Sequence, residues 1–480
     1  MDALAMSSLK FGTSGLRGLV TELSDEVCFA YSTAFIKHMK AAHGIASDAV
    51  VLVGYDLRSS SPQMAAACMA AVKQAGMRVE NCGPLPTPAL ALRAQTIKSP
   101  AIIVTGSHIP ADRNGLKFYR ADGEIDKVDE AGISALVDLA NTPATIADAN
   151  ITVNSDAYND YLKRCISILA PGTLTGLQIG IYQHSSVSRD LMVDLVQKLG
   201  AKAVPLGRSD VFVPVDTEAL RPEDVAFAKQ ACVTNKLHAL ISTDGDADRP
   251  LVADENGTFF RGDMLGILTA KFLKADSVVT PVTSSSAVEL SGLFNNVVRT
   301  RVGSPYVIEG MAKAVAAGAR TVAGFEANGG VLLGSHVTLG SGLIEALPTR
   351  DAMLPILAVL GLAANAKVAV SKLLADMPER FTQSGRIEHV GADLTGPFLA
   401  GLMDKATREK HFLTAGVIAS FDAIDGVRVV LATGDVVHYR ASGNAPELRC
   451  YTESATLEQA VHMLKWGLER AQASLDGALC

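Results

Sequence analysis

Long hydrophobic runs are missing from this chain of 480 residues. Its greasiest stretch, Met353 to Ala364, is broken by Pro355 and falls far short of the roughly 20 apolar residues that cross a bilayer. Met1 to Lys10 carries Asp2 and no cationic segment followed by an apolar one, so it does not read as a signal peptide. Paired cysteines are missing too. The seven cysteines, at positions 28, 68, 82, 165, 232, 450 and 480, include no close pair and no zinc-type spacing, and their odd total argues against a disulfide framework. A reducing, cytoplasmic setting is the expectation. No Lys/Arg-rich run offsets a formal charge of -7, which excludes a polyanion-binding surface. An anionic ligand must instead be met by locally placed arginines, and small phosphates suit that better than polymers. Neither a fixed-period repeat nor a low-complexity tract appears.

The composition, 48% apolar and 19% charged, is that of a packed globular chain. At the usual domain size of roughly 100 to 200 residues, its length divides into three or four domains. Short β-branched runs alternate with helical patterns, the signature of α/β units with parallel or mixed sheets. Strands are predicted at Val50 to Gly54, Ala101 to Thr105, Gln178 to Tyr182, Ala239 to Ser242, Ser277 to Val282 and Arg320 to Gly324. Each runs into a Gly, Ser or Asp loop, the place where open α/β sheets hold ligands. Ser61-Pro62 reads as a cap opening a helix that ends near Gly76. The last hundred or so residues change character. Val427 to Thr433, Val436 to Ala441 and Leu448 to Thr452 are closely spaced, as in an antiparallel sheet. A closing helix there has Leu457, Ala460, Val461, Leu464, Leu468, Ala471 and Leu475 on one face, with Thr456 and Gln459 at capping-box spacing. The expected architecture is three α/β domains with mixed sheets, at 1–148, 149–258 and 259–373, followed by an α+β domain at 374–480.

Asp244-Gly245-Asp246-Ala247-Asp248-Arg249 places three carboxylates at alternating positions after an apolar strand, so a tight loop can turn them toward one hard cation such as Mg²⁺. Glu255 stands where an EF-hand has its twelfth ligand, but Arg249 occupies the position of the obligatory glycine and the flanks read as strands. Thr105-Gly106-Ser107-His108-Ile109-Pro110 leads into Asp112-Arg113-Asn114-Gly115-Leu116-Lys117, which sets Ser107 beside cationic groups. Taken alone, that serine is a turn or cap residue before it is a nucleophile or phosphate carrier. No Gly-x-Ser-x-Gly elbow surrounds it. Arg440 to Arg449 links two strands with Ser442, Asn444 and free amides between two guanidinium forks, which suits phosphate oxygens or makes an ordinary polar hairpin. Glu326 and Asn328 follow another strand, where they either meet sugar hydroxyls or cap a loop. Phe11 to Gly18 is glycine-rich and holds Arg17, but it lacks the preceding strand and the lysine of a P-loop.

In this order, over nearly the whole chain, the segments resemble the phosphohexomutase family of phosphomannomutases and phosphoglucomutases. The resemblance implies four domains around a central cleft. It also implies a phosphoserine at Ser107, Mg²⁺ held by Ser107, Asp244, Asp246 and Asp248, a sugar-reading loop with Glu326 and Asn328, and a phosphate grip by Arg249, Arg440, Ser442, Asn444 and Arg449. Arg17, His108 and Lys117 match positions lining the reaction centre, with Lys117 the better candidate for proton transfer. The implied reaction interconverts hexose 1-phosphate and 6-phosphate through a 1,6-bisphosphate, with a hexose 1,6-bisphosphate as activator and no nucleic acid or membrane as partner. Gly106 and Ile109 depart from the usual Thr-Ala-Ser-His-Asn-Pro, and Gly330 stands where many bacterial members carry histidine. His336 lies nearby, with a structural role expected for it. The alternatives are a phosphoglucosamine mutase and, from another class, a metal-dependent phosphate-ester hydrolase.

Overall fold

The structure is a computed structural model that describes residues 9–12, 15–143, 151–340, 342–442 and 446–477. It forms two compact units, one being the chain up to Asp276 together with Met311–Ala375, the other Ser277–Gly310 together with the chain from Asp376.

In the first unit, a mixed sheet runs Lys10–Phe11, Leu16–Leu19, Arg113–Arg120, Ala101–Val104, Val50–Tyr55, Arg78–Pro84, with Gly123–Glu124 added beside Arg113–Arg120. Val50–Tyr55 pairs in parallel with both Arg78–Pro84 and Ala101–Val104, whereas Arg113–Arg120 runs antiparallel to Ala101–Val104. Val51, Val53, Ile102, Val104, Leu116 and Phe118 alternate into one core with Phe35, Met39, Met64, Cys68 and Val72 of the helices Asp25–His43 and Ser61–Gln74. Ala101–Val104 is buried at every residue, which is why it reads as an unbroken apolar run. The expected serine cap is not made: Ser60 occupies the cap position without a side-chain cap bond, its Oγ accepting from Asn114 Nδ2 at 2.9 Å, and Ser61 Oγ donates to Asp56 Oδ1 at 2.5 Å.

A second sheet in this unit runs Pro250–Ala253, Ala239–Thr243, Gln178–His184, Lys202–Arg208, parallel except for its first pair. Val322–Phe325, Val331–Leu333 and Leu347–Asp351 form successive antiparallel pairs. The helix Met353–Ala366 is buried over most of its length, so its greasy sequence belongs to a core. No helix among the described residues is long and apolar enough to cross a membrane.

The second unit holds the parallel pair Ser277–Pro281 and Asn296–Thr300 and a five-stranded antiparallel sheet. That sheet runs Phe381–Glu388, Glu447–Ser454, Val436–Ala441, Val427–Leu431, Ile418–Asp422, adding an outer strand on each side of the three expected. The closing helix, Leu457–Leu475, turns most of its predicted face inward: Ala460 and Ala471 are buried and Leu464, Leu468 and Leu475 pack against the core, whereas Leu457 is 52% and Val461 50% exposed. Met463 and Gly467 join the buried face; at Gly467 the carbonyl accepts from Tyr439 Oη at 2.8 Å and a Cβ would stand 2.8 Å from Cys450 Sγ. Only half of the capping box forms. Thr456 Oγ1 accepts from the Gln459 amide, but the Gln459 side chain donates to Asp435.

Candidate active site

Four strand ends of the first unit deliver the polar side chains. Ala101–Val104 leads to Ser107, Ala239–Thr243 to Asp244, Val322–Phe325 to Glu326, and Val50–Tyr55 to Asp56 and Arg58. Loops beyond the carboxyl ends of α/β strands are free to carry polar groups because the sheet has already satisfied its backbone.

Ser107 is buried and its backbone is left-handed, with φ +52°, a conformation that a non-glycine residue holds only when its surroundings fix it. The fixing group is Arg58. Its guanidinium donates to the carbonyls of Ser107 (3.0 Å), Ile109 (2.6 Å), Pro110 (2.7 Å) and Arg113 (2.9 Å), and to Asp56 Oδ2 at 3.2 Å. Asp56 in turn accepts from Thr105 Oγ1 at 2.7 Å, and Thr105 Oγ1 accepts from the Ser107 amide at 2.8 Å. This explains both departures in the loop. A Cβ at Gly106 would lie 2.6 Å from Arg58 Cζ, and residue 109 is held by its carbonyl, so an amide side chain there is not needed.

Ser107 Oγ donates to Asp244 Oδ2 at 2.6 Å and lies 3.2 Å from His108 Nδ1. Burial and the cations Arg249 and Arg17 push His108 down to about 2, so its imidazole is neutral and polarises the serine without adding charge. Asp244, Asp246 and Asp248 are all buried, and one oxygen from each falls within 4.8 Å of the others. Lys117 Nζ donates to Asp246 Oδ2 at 2.6 Å and Asp248 Oδ2 at 2.8 Å, and Thr87 Oγ1 to Asp246 Oδ2 at 2.7 Å. Asp246 Oδ1 and Asp248 Oδ1 remain buried acceptors without a hydrogen-bond partner. Buried orphan carboxylate oxygens are costly, and three of these groups converging on one point is the donor set of a hard divalent cation. The residues fit such an ion. Glu255 accepts from the amide and hydroxyl of Ser371, so it plays no part in an EF-hand.

The electrostatics divide the triad. Burial, then Asp246 and Asp248, raise Asp244 well above the carboxylate range; burial also acts on Asp248, but Arg350, Lys117 and Arg249 outweigh it and hold Asp248 well below. Burial disfavours the Lys117 charge, yet Asp246 and Asp248 prevail and keep it an ammonium. Arg17, desolvated and facing Arg249 and Arg350, falls to about 10 and is still a cation at neutral pH.

Glu326 Oε2 accepts from Arg350 Nη1 at 3.0 Å, and Asn328 Oδ1 accepts from the Gly330 amide at 2.9 Å, closing the loop on itself. His336 is exposed and accepts from the Ala346 amide at 3.2 Å, as a structural histidine does. Arg440, Ser442 and Arg449 belong to the second unit, where Arg440 Nε donates to Asp425 at 2.7 Å and Arg449 Nε to Glu447 at 2.9 Å. Asn444 lies outside the described residues.

Asp56, Arg58, Thr87 and Arg350 escaped the sequence reading. The signal for two of them was present, since Asp56-Leu57-Arg58 follows a predicted strand. For Arg350 it was a polar triplet, Thr349-Arg350-Asp351, ending a strand that opens on Leu347, and for Thr87 there was none.

Profiles of the phosphoglucomutase/phosphomannomutase alpha/beta/alpha domains I, II and III match residues 8–142, 156–257 and 261–381 in turn. The chain is 46% identical over 472 residues to a phosphomannomutase of Sinorhizobium fredii, covering 97% of this chain and 99% of that one. It is 41% identical over 479 residues to a phosphomannomutase of Salmonella muenchen, covering 99% and 98%. A phosphoglucosamine mutase of Symbiobacterium thermophilum is 30% identical over 355 residues, 70% of this chain and 77% of that one. Among solved structures, a phosphoglucomutase/phosphomannomutase family protein of Burkholderia thailandensis superposes with a TM-score of 0.78 at 20% identity over 98% of each chain, a likeness of fold. With three successive domain profiles in order and relatives matched end to end, the chain belongs to the phosphoglucomutase/phosphomannomutase family.

Proposed function

We propose that the protein interconverts the 1- and 6-phosphates of a hexose, mannose and glucose being the substrates, by way of a phosphoserine at Ser107. The observation that carries this is the buried hydroxyl of Ser107 bonded to Asp244, next to two orphan carboxylate oxygens and a shell of Lys117, Arg249 and Arg17. The full-length likeness to phosphomannomutases supports the mannose assignment.

In the first half-reaction the free sugar hydroxyl attacks the phosphorus on Ser107. The new P–O bond to the sugar forms as the bond to Ser107 Oγ breaks, and the proton lost by the sugar hydroxyl is matched by one gained at the serine. The 1,6-bisphosphate then turns end for end, and the second half-reaction runs the same exchange in reverse. Mg²⁺, which Asp244, Asp246 and Asp248 would hold with an oxygen on Ser107, neutralises phosphoryl charge when bound. Lys117, held protonated by its two aspartates, donates a proton to the leaving oxygen more readily than it accepts one. Neutral His108 orients Ser107 Oγ, and Arg249 and Arg17 stabilise charge on the equatorial oxygens. Glu326 and Asn328 read the sugar hydroxyls. Arg440, Ser442, Asn444 and Arg449 grip the phosphate that is not reacting; the support is that Arg440 and Arg449 face each other across a strand pair, each already held by a carboxylate. A hexose 1,6-bisphosphate primes the serine. We assign the work to four domains, 1–148, 149–258, 259–373 and 374–480, a division in keeping with the profile matches ending at 142, 257 and 381.

The test is to incubate purified protein with the 1-phosphates of mannose, glucose and glucosamine and to measure 6-phosphate and free phosphate together. Formation of mannose and glucose 6-phosphate without free phosphate is expected. Stoichiometric release of phosphate identifies a hydrolase, and conversion of the glucosamine ester alone identifies a phosphoglucosamine mutase.

A further inference from the structure

Arg350 stands on the strand Leu347–Asp351 and is buried. Its neighbours on that strand are pinned to other parts of the unit: Thr349 Oγ1 donates to Glu124 at 2.9 Å, and Asp351 accepts from Tyr161 Oη at 2.5 Å. The backbone that carries Arg350 is therefore fixed, and its guanidinium reaches two loops at once. Nε and Nη2 both donate to Asp248 Oδ2, at 3.1 and 2.8 Å, and Nη1 donates to Glu326 Oε2 at 3.0 Å. Since Lys117 also donates to Asp248 Oδ2, that oxygen is saturated, and Oδ1 is left as the acceptor without a hydrogen bond. The side chain lies over Gly330. A Cβ at residue 330 would stand 2.6 Å from Arg350 Cδ and 2.8 Å from Cγ, so any larger residue there competes for the same space.

We infer that Arg350 is a positioning residue for the phosphoryl transfer, cross-tying Glu326 of the sugar loop to Asp248 of the cation loop across a space that Gly330 keeps open. The inference rests on the function proposed above. One guanidinium selects which oxygen of Asp248 is presented to the cation and holds Glu326 at a fixed distance from it, so sugar and phosphoryl acceptor site are placed by the same group. In this chain the space beside the sugar loop is thus filled from the strand Leu347–Asp351, and the loop contributes no side chain at residue 330.

Arg350→Gln, Arg350→Lys, Gly330→Ala and the double variant Arg350→Gln/Gly330→Ala test this, with melting temperature checked for each. Mn²⁺ binding to the substrate-free protein, followed by electron paramagnetic resonance, gives a readout apart from turnover. Loss of the group that orients Asp248 is expected to weaken Mn²⁺ binding about tenfold in Arg350→Gln, with kcat/KM falling at least about thirtyfold and KM rising. Arg350→Lys keeps the charge without the fork, so Mn²⁺ affinity and kcat/KM both stay low. Gly330→Ala alone is expected to lower kcat/KM about tenfold, but less than about twofold in the Arg350→Gln background, because the clash has gone. Unchanged or tighter Mn²⁺ binding in Arg350→Gln, recovery of kcat/KM in Arg350→Lys, or additive losses in the double variant each overturn the inference. A wild-type protein without mutase activity overturns the proposed function instead.

Discussion

Ser107 is held by both its backbone and its hydroxyl, which makes single-residue predictions sharp. Its φ of +52° is maintained by Arg58, and its hydroxyl is aimed at Asp244. A resting mutase holds the group it donates, so purified protein, or protein treated with a hexose 1,6-bisphosphate, is expected to carry one phosphate that peptide mapping places on Ser107. Ser107→Ala loses that phosphate and nearly all turnover but still binds sugar phosphate in calorimetry. Asp246→Asn is expected to lower kcat by about a hundredfold or more with a smaller change in KM, because the cation acts mainly in the transition state. Excess EDTA gives the same loss, and full activity in EDTA refutes the assignment. Arg58→Met leaves Asp56 buried with Ser61 and Thr105 but without its ion-pair partner, and four carbonyls short of a donor. Urea unfolding should report a loss of about 3 kcal/mol, with turnover falling as the serine loop relaxes.

At the level of helices and strands, the C-terminal antiparallel sheet and its helices bury His411 among Phe398, Phe412, Tyr439 and Trp466. Burial, with Arg470 nearby, pushes His411 down to about 4. The unfolded chain takes up a proton near pH 6.5 and the folded one only near 4, so stability is full above pH 6.5 and declines as pH falls through that window. At pH 5 the expected loss from this residue is about 2 kcal/mol relative to pH 7. His411→Phe should flatten that part of the stability-pH profile, as read by urea midpoints between pH 7 and 5. An unaltered slope shows that His411 is not the group titrating. The same elements show how far periodicity carries: Ala460, Leu464, Leu468, Ala471 and Leu475 of the closing helix face the core as the period implies, while Leu457 and Val461 are exposed and Gly467 is buried, because the smallest side chain allows the closest approach.

For the molecule as a whole, the end-for-end turn of the bisphosphate demands recognition that works in two orientations. Hydroxyls at C3 and C4 exchange places when the ring flips, whereas C2 has no counterpart. Mannose and glucose differ only at C2, so both 1-phosphates are expected to be converted with kcat/KM values within about a hundredfold, roughly 2.7 kcal/mol in transition-state binding. Arg449→Ala should weaken both substrates alike because phosphate is common to them, while Asn328→Ala alters their ratio. Strict rejection of one sugar would reveal a contact to C2.

The order of motifs, the alternation of strand and helix and the Asp-x-Asp-x-Asp spacing were all readable along the chain, because each depends on neighbours a few residues apart. The resemblance that those patterns add up to named Ser107, Asp244, Asp246, Asp248 and Lys117, and the structure brings Ser107 within hydrogen-bonding reach of Asp244, and Lys117 within reach of Asp246 and Asp248. What no local pattern carried was the set of groups that hold them. Arg58 lies 49 residues from Ser107 in sequence and Arg350 lies 102 from Asp248, and an arginine's meaning depends on which carboxylate or carbonyl the fold places under it. Glycines behave in the same way. Gly106 and Gly330 looked like departures from a pattern, and only packing shows that each makes room for a guanidinium from elsewhere in the chain. Charge decided the remainder: Asp244 and Asp248 are alike in sequence, but burial and the neighbouring aspartates raise Asp244 above the carboxylate range while Arg350, Lys117 and Arg249 hold Asp248 well below it.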